Sequence, residues 1–102
     1  MTALEAAAVL KEDPAVKLLD VRTDEEYATA HIDGSILMNT REKADELMQL
    51  PKDTCLIVHC HHGGRSFQAA GWLMKRGFTK VYNMAGGIDA WSTDVDAKVP
   101  RY

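Results

Sequence analysis

The chain of 102 residues has only two cysteines, three prolines and no excess of positive charge. Two cysteines are too few for a disulfide scaffold. Twelve basic side chains against fifteen acidic ones give a formal charge of -3 and a pI near 5.7. A protein built to coat nucleic acid should be basic overall or carry a basic stripe, so nucleic acid is not an expected partner. No apolar run is long enough to span a bilayer, and no membrane partner is expected. The first residues, MTALEAAAVLKEDP, lack a basic leader and are interrupted by Glu5 and Lys11, which does not read as a signal peptide. The expectation is a cytoplasmic protein with both thiols reduced. Internal repeats, low-complexity tracts and linkers are also missing, which leaves one domain over residues 1–102.

Short helical and strand-like segments alternate throughout. Thr2 and Glu5 have capping-box spacing and open an Ala-rich helix that Pro14 ends near Asp13. Residues 16–21 (VKLLDV), 35–38 (SILM), 55–59 (CLIVH) and 81–84 (VYNM) read as short buried strands. Thr23 or Asp24 can cap a helix through Ala30, and Thr40 one to about Leu50, stopped by Pro51. From Ser66 the pattern is helical, with Phe67, Ala70, Gly71 and Met74 at i, i+3, i+4 and i+7 and Gly77 placed to end it. Gly86-Gly87 turn into a last short helix over residues 88–91. Apolar strands alternating with helices predict an α/β fold, a parallel sheet of four or five strands with helices on both faces. Ligands in such folds bind beyond the carboxyl ends of the strands.

One loop there has unusual chemistry: His59-Cys60-His61-His62-Gly63-Gly64-Arg65-Ser66, between a strand and a helix N-terminus. The first turn of a helix has unpaired N–H groups and a positive dipole end. Gly63 and Gly64 let the backbone take positive φ, so successive amides can curl into a nest. Cys60 would face those donors and the Arg65 guanidinium, which favours thiolate over thiol and makes an activated nucleophile. Arg65 can hold a substrate oxyanion or brace the loop. His61 and His62 are placed at the loop mouth to contact donor or acceptor, and a protonated His62 would favour an anionic substrate. Adjacent residues rarely converge on one ion, so no metal is expected in this run.

This strand-Cys60-loop-Arg65-Ser66-helix unit resembles the active-site loop of rhodanese-like sulfurtransferases. So do Leu19-Asp20-Val21-Arg22, Glu26-Tyr27, His31-Ile32-Asp33-Gly34-Ser35-Ile36 and Gly86-Gly87-Ile88-Asp89-Ala90-Trp91. The resemblance covers nearly the whole chain in the family's order. It implies a small α/β domain and a sulfurtransferase with Cys60 as nucleophile and His61, His62, Gly63, Gly64, Arg65 and Ser66 around the substrate. It also implies a small sulfur donor such as thiosulfate, a thiol, cyanide or protein acceptor, and no cofactor. Asp20 and Arg22 look structural in this pattern, with Arg22 pairing with Glu26, and Ala30 replaces the usual glycine before His31. The family usually has a short strand before its first helix, and that strand is not evident here.

Two alternatives stand beside this reading. Cysteine phosphatases and arsenate reductases also place His-Cys before a loop ending in Arg and Ser or Thr. Four residues separate Cys60 from Arg65 here, where the phosphatase signature has five, and the tighter ring suits a single sulfur. A non-enzymatic binding module on the same fold would be expected to lose the nucleophile, which this chain retains. Cys55 reads as a buried small hydrophobe; an extended strand would put it about 16 Å from Cys60, too far for a bridge. His59 is expected to be satisfied by hydrogen bonding, His31 to be structural, Trp91 to pack, and Arg101 and Tyr102 to form a solvated tail. Periodicity leaves Trp72 open between core and surface. Nothing in the sequence fixes the oligomeric state, and a monomer is the working expectation.

Overall fold

A computed structural model describes all 102 residues. It contains α1 (Ala3–Glu12), β1 (Lys17–Asp20), α2 (Asp24–Thr29), β2 (Ile36–Leu37), α3 (Arg41–Leu47), β3 (Leu56–His59), α4 (Gly64–Lys75), β4 (Val81–Asn83) and α5 (Gly87–Asp94). The four strands form one parallel sheet in the order β2-β1-β3-β4. β1 and β3 are central, with Asp20 level with His59 at their carboxyl ends. Both are buried along almost their whole length, as apolar strands covered on two faces must be.

The period-two alternation of strand side chains divides the core. Leu18 and Ile57 face one side, where they pack with Ala3 and Ala6 of α1 and Ile88 and Trp91 of α5. Leu19, Leu56 and Val58 face the other, against Leu47 of α3 and Ala70 and Leu73 of α4. Capping boxes start α1 at Thr2 with Glu5 and α2 at Thr23 with Glu26. Thr40 caps α3, which stops at Leu47, short of the expected Leu50. α5 is longer than expected, running to Asp94. No separate strand precedes α1. The Met1 backbone instead binds Asn83 O at 3.2 Å and Ala85 N at 2.8 Å, beside β4.

The phase of α4 differs from the one its apolar spacing predicts. Phe67 and Met74 are exposed, at 70% and 54%, and the buried face is Ser66, Ala70 and Leu73. The reason is local: the first turn must aim the Ser66 N–H at Cys60, and the hydroxyl side of the helix therefore faces inward. No helix is long and apolar enough to cross a membrane.

Candidate active site

The order β2-β1-β3-β4 reverses direction between β1 and β3, and the crevice beyond that point is where an open α/β sheet binds ligands. The loop of residues 60–63 leaves β3 there and runs directly into α4. Cys60 forms its floor, only 1% exposed. Its Sγ accepts from Gly63 N at 3.1 Å and Ser66 N at 3.4 Å, with Ser66 Oγ also at 3.4 Å. Burial pushes the thiol up, but the Ser66 hydroxyl and the amides of Ser66, Gly63 and Arg65 outweigh it and hold Cys60 below its ordinary range.

The loop's peptide planes are set from outside. Cys60 O accepts from Ile88 N at 2.9 Å, and His61 O from Asp89 N at 3.2 Å. The unpaired N–H groups of α5's first turn thus take the carbonyls and leave the loop amides turned toward the sulfur. This approach requires glycine at position 87. A Cβ there would lie 2.3 Å from Cys60 O and 2.5 Å from His61 O. Gly63 takes the expected positive φ, at 118°, while Gly64 does not: it is the first helical residue of α4, with open space around it.

Asn83 on β4 is a brace that the sequence did not single out. Its Nδ2 donates to Gly63 O at 3.3 Å and its Oδ1 accepts from Ser66 Oγ. The serine hydroxyl has one proton and three neighbouring acceptors: Asn83 Oδ1, Gly63 O and Cys60 Sγ. That one proton cannot serve all three at once, so the hydroxyl shares the stabilisation of a thiolate with the backbone amides of Gly63 and Ser66.

Arg65 does not point its fork at the sulfur. Nη1 and Nη2 donate to Glu26 Oε1 at 2.7 Å and Oε2 at 2.9 Å, a bidentate pair. The hydrogen bonds from Arg65 hold the Glu26 carboxyl well below the usual range, and those bonds raise Arg65 in turn. The expected Arg22–Glu26 side-chain pair is therefore absent. Arg22, 1% exposed, reaches Glu26 only through its main-chain oxygen at 3.4 Å. Its partner is Asp20, two residues back on the same face of the strand end, through Nε at 2.9 Å and Nη2 at 2.7 Å. Nη2 also satisfies Ala30 O at 2.7 Å. Burial opposes the charge on Arg22, but these bonds to Asp20 keep it raised.

His59 is fully buried; its Nδ1 bonds Cys60 O at 3.5 Å, as expected, but its Nε2 has no hydrogen-bond partner. That nitrogen stands 3.8 Å from Asp20 Oδ2, and burial lowers the imidazole and keeps it neutral. Trp91 packs in the core, and Trp72 is 37% exposed under the Arg76 guanidinium. His31 stacks on Tyr27 and bonds its carbonyl at 3.0 Å. Cys55 is half-buried against the α1–α5 core, which raises its thiol. The tail is not simply solvated. Arg101 pairs with Asp89 at 2.9 Å, and Tyr102 lies against His61, Arg22 and Glu26. His62 is exposed and His61 half-buried. His61, His62 and Asp89 bring one ligating atom each within 4.8 Å of one another. The two imidazole rings are tilted by 31° with centroids 3.9 Å apart, and Asp89 is engaged by Arg101.

The family model for the rhodanese-like domain matches residues 2–94. The chain is 36% identical over 95 residues to thiosulfate sulfurtransferase GlpE of Pseudomonas fluorescens SBW25, covering 93% of this chain and 86% of that protein. The Pseudoalteromonas translucida protein of the same name is 37% identical over 91 residues, with 89% and 85% covered. Among solved structures, a rhodanese-like domain protein from Staphylococcus aureus superposes with a TM-score of 0.79 at 29% identity, covering 100% of this chain and 96% of that one. A cysteine loop closed by a helix N-terminus, on a parallel sheet of this order and with relatives matched along most of their length, leaves one conclusion: the chain belongs to the rhodanese-like domain family.

Proposed function

We infer that the chain is a sulfurtransferase in which Cys60 carries the transferred sulfur. The observation that bears most weight is the Cys60 Sγ held by the Gly63 and Ser66 amides at the start of α4. Relatives named thiosulfate sulfurtransferase support the choice of donor. The Cys60 thiolate attacks the outer sulfur of thiosulfate. A new S–S bond forms, the sulfur–sulfur bond of thiosulfate breaks, and sulfite leaves with the electron pair. The product is a Cys60 persulfide whose terminal sulfur carries one negative charge.

A second nucleophile, cyanide or a thiol on a small molecule or protein, takes that terminal sulfur. The electron pair returns to Cys60 as thiolate, and the scheme predicts ping-pong kinetics. The amides that stabilise the thiolate also stabilise the persulfide anion, a preorganised anion hole applied to sulfur. Gly63, Gly64, Arg65 and Ser66 build that hole, and His61 and His62 stand at its edge for donor or acceptor. The two displacements balance without a further redox partner. Residues 1–102 act as one catalytic unit. A monomer suffices, since a single copy supplies every residue of the loop's bracing. Two free cysteines support work in a compartment that keeps thiols reduced, the cytoplasm.

The test is intact-protein mass spectrometry after incubation with thiosulfate, on wild type and Cys60→Ser. The expected result is one added sulfur on the wild type, absent from the variant and released by cyanide as thiocyanate. No adduct with thiosulfate or other sulfane donors, together with Cys60-dependent hydrolysis of an aryl phosphate, would replace this reading with a phosphatase.

A further inference from the structure

Tyr102 makes more directed contacts than an unconstrained tail residue would. Its hydroxyl accepts from Arg22 Nη1 at 2.7 Å and donates to Glu26 Oε2 at 2.6 Å. A phenol has one proton to give and lone pairs to receive, so both bonds form at once. Glu26 is the carboxylate that grips Arg65, and Oε1 also accepts from Thr23 N at 3.3 Å in the α2 capping box. A polar chain therefore runs from the buried Asp20–Arg22 pair through Tyr102 and Glu26 to Arg65. The Tyr102 ring meanwhile stacks on His61, with centroids 3.9 Å apart and planes within 8°.

His61 and Arg65 are the two ends of the segment that holds the sulfur. Gly63 N lies between them, and Ser66 N follows directly after Arg65. One side chain thus restrains the entry of the loop by stacking and its exit through Glu26. Arg101 pins the same stretch of tail to α5 through Asp89 at 2.9 Å. Amides that stabilise an anion do so only while they stay aimed at it, and small misplacement is costly.

We propose that Tyr102 is a positioning residue that clamps both ends of the Cys60 loop and so keeps the amides aimed at the sulfur. This rests on the reading of Cys60 as a thiolate nucleophile. Tyr102 need not touch donor or acceptor. It acts through His61 and through Glu26–Arg65, and the two routes can be separated. Tyr102→Phe keeps the stack and removes the hydroxyl, while Tyr102→Ala removes both.

The experiment is the pH profile of Cys60 alkylation by iodoacetamide, followed by peptide mass spectrometry, on wild type and both variants, with folding checked by circular dichroism. The expected rate at pH 7 falls about three- to tenfold in Tyr102→Ala, the scale of a lost hydrogen bond plus a lost stack. It falls by a smaller factor in Tyr102→Phe. Thiosulfate kcat/KM falls in step and recovers as pH rises and the Cys60 thiol ionises. A merely structural loss would not recover with pH. Wild-type profiles in both variants, or an equal loss at every pH, would overturn the proposal. The alkylation profile decides the clamp whether or not thiosulfate is the donor, so failure of the sulfurtransferase reading would be seen separately.

Discussion

Gly87→Ala tests the claim that α5 sets the peptide planes of the cysteine loop. Gly87 has φ +59°, and a Cβ there would meet Cys60 O at 2.3 Å, His61 O at 2.5 Å and His61 C at 2.7 Å. Real Cβ contacts do not come this close, and all three atoms are backbone, which no rotamer change can move aside. The left-handed backbone costs a non-glycine residue about 1–2 kcal/mol. Forcing a methyl into a filled site adds about 1–3 kcal/mol. The sum, about 2–5 kcal/mol, is a large share of the ~5–15 kcal/mol that holds a domain folded. For a chain of this size it corresponds to a fall in Tm of roughly 10–30 °C. The assay is thermal unfolding followed by circular dichroism, with Gly71→Ala as reference. Gly71 lies inside α4 with nothing within 4 Å of a built Cβ, and alanine there should stabilise by about 0.5–1 kcal/mol. In Gly87→Ala the displaced loop should also lose the enhanced alkylation of Cys60. A Tm within a few degrees of wild type, with Cys60 reactivity intact, would refute the account of how the loop is held.

Three other outcomes follow from the same geometry. Asp20→Asn leaves the buried Arg22 guanidinium without its countercharge and should cost about 3–5 kcal/mol, read from the urea midpoint; a loss below about 1 kcal/mol would contradict the pairing. Cys60 should be alkylated well below pH 8 and ahead of Cys55, because amide donors lower the first thiol and burial raises the second; equal, slow labelling would remove the basis for an activated thiolate. The Glu26 carboxyl is depressed from 4.5 in the folded state, so its contribution is complete above that value and is lost as pH falls through the lower folded one. Glu26→Gln should therefore reduce stability by about 1 kcal/mol at pH 7, discounted because the Arg65 side chain is 47% exposed. That gap should narrow below about pH 4.5, and a gap independent of pH would mean that the carboxylate charge does not hold the clamp.

The alternation of strands and helices was legible because each element carries local signals. Thr2 with Glu5 and Thr23 with Glu26 start α1 and α2, and the apolar runs around Leu18 and Ile57 became the central strands. The loop was legible because Cys60, Gly63 and Ser66 are close in sequence, and their convergence follows from a strand turning into a helix. The α4 phase was not. Its apolar spacing favoured Phe67 and Met74, yet Ser66 and Leu73 face inward, because the helix is oriented by its first turn against the sulfur.

The sequence by itself determined the helices, the strands and the amide cradle around Cys60, since these depend on neighbours within a few residues. Only the tertiary structure decided what braces that cradle. Glu26 lies 39 residues before Arg65, Asn83 lies 17 after Ser66, and Tyr102 lies 76 after Glu26. Nothing local marks a carboxylate as the partner of one arginine over another. Glu26 sits as near to Arg22 in sequence as an ion pair requires, yet burial commits Arg22 to Asp20 and frees Glu26 for the loop. Pairings across such distances are settled by which strands lie side by side and by the demand that each buried charge find its donors and acceptors there.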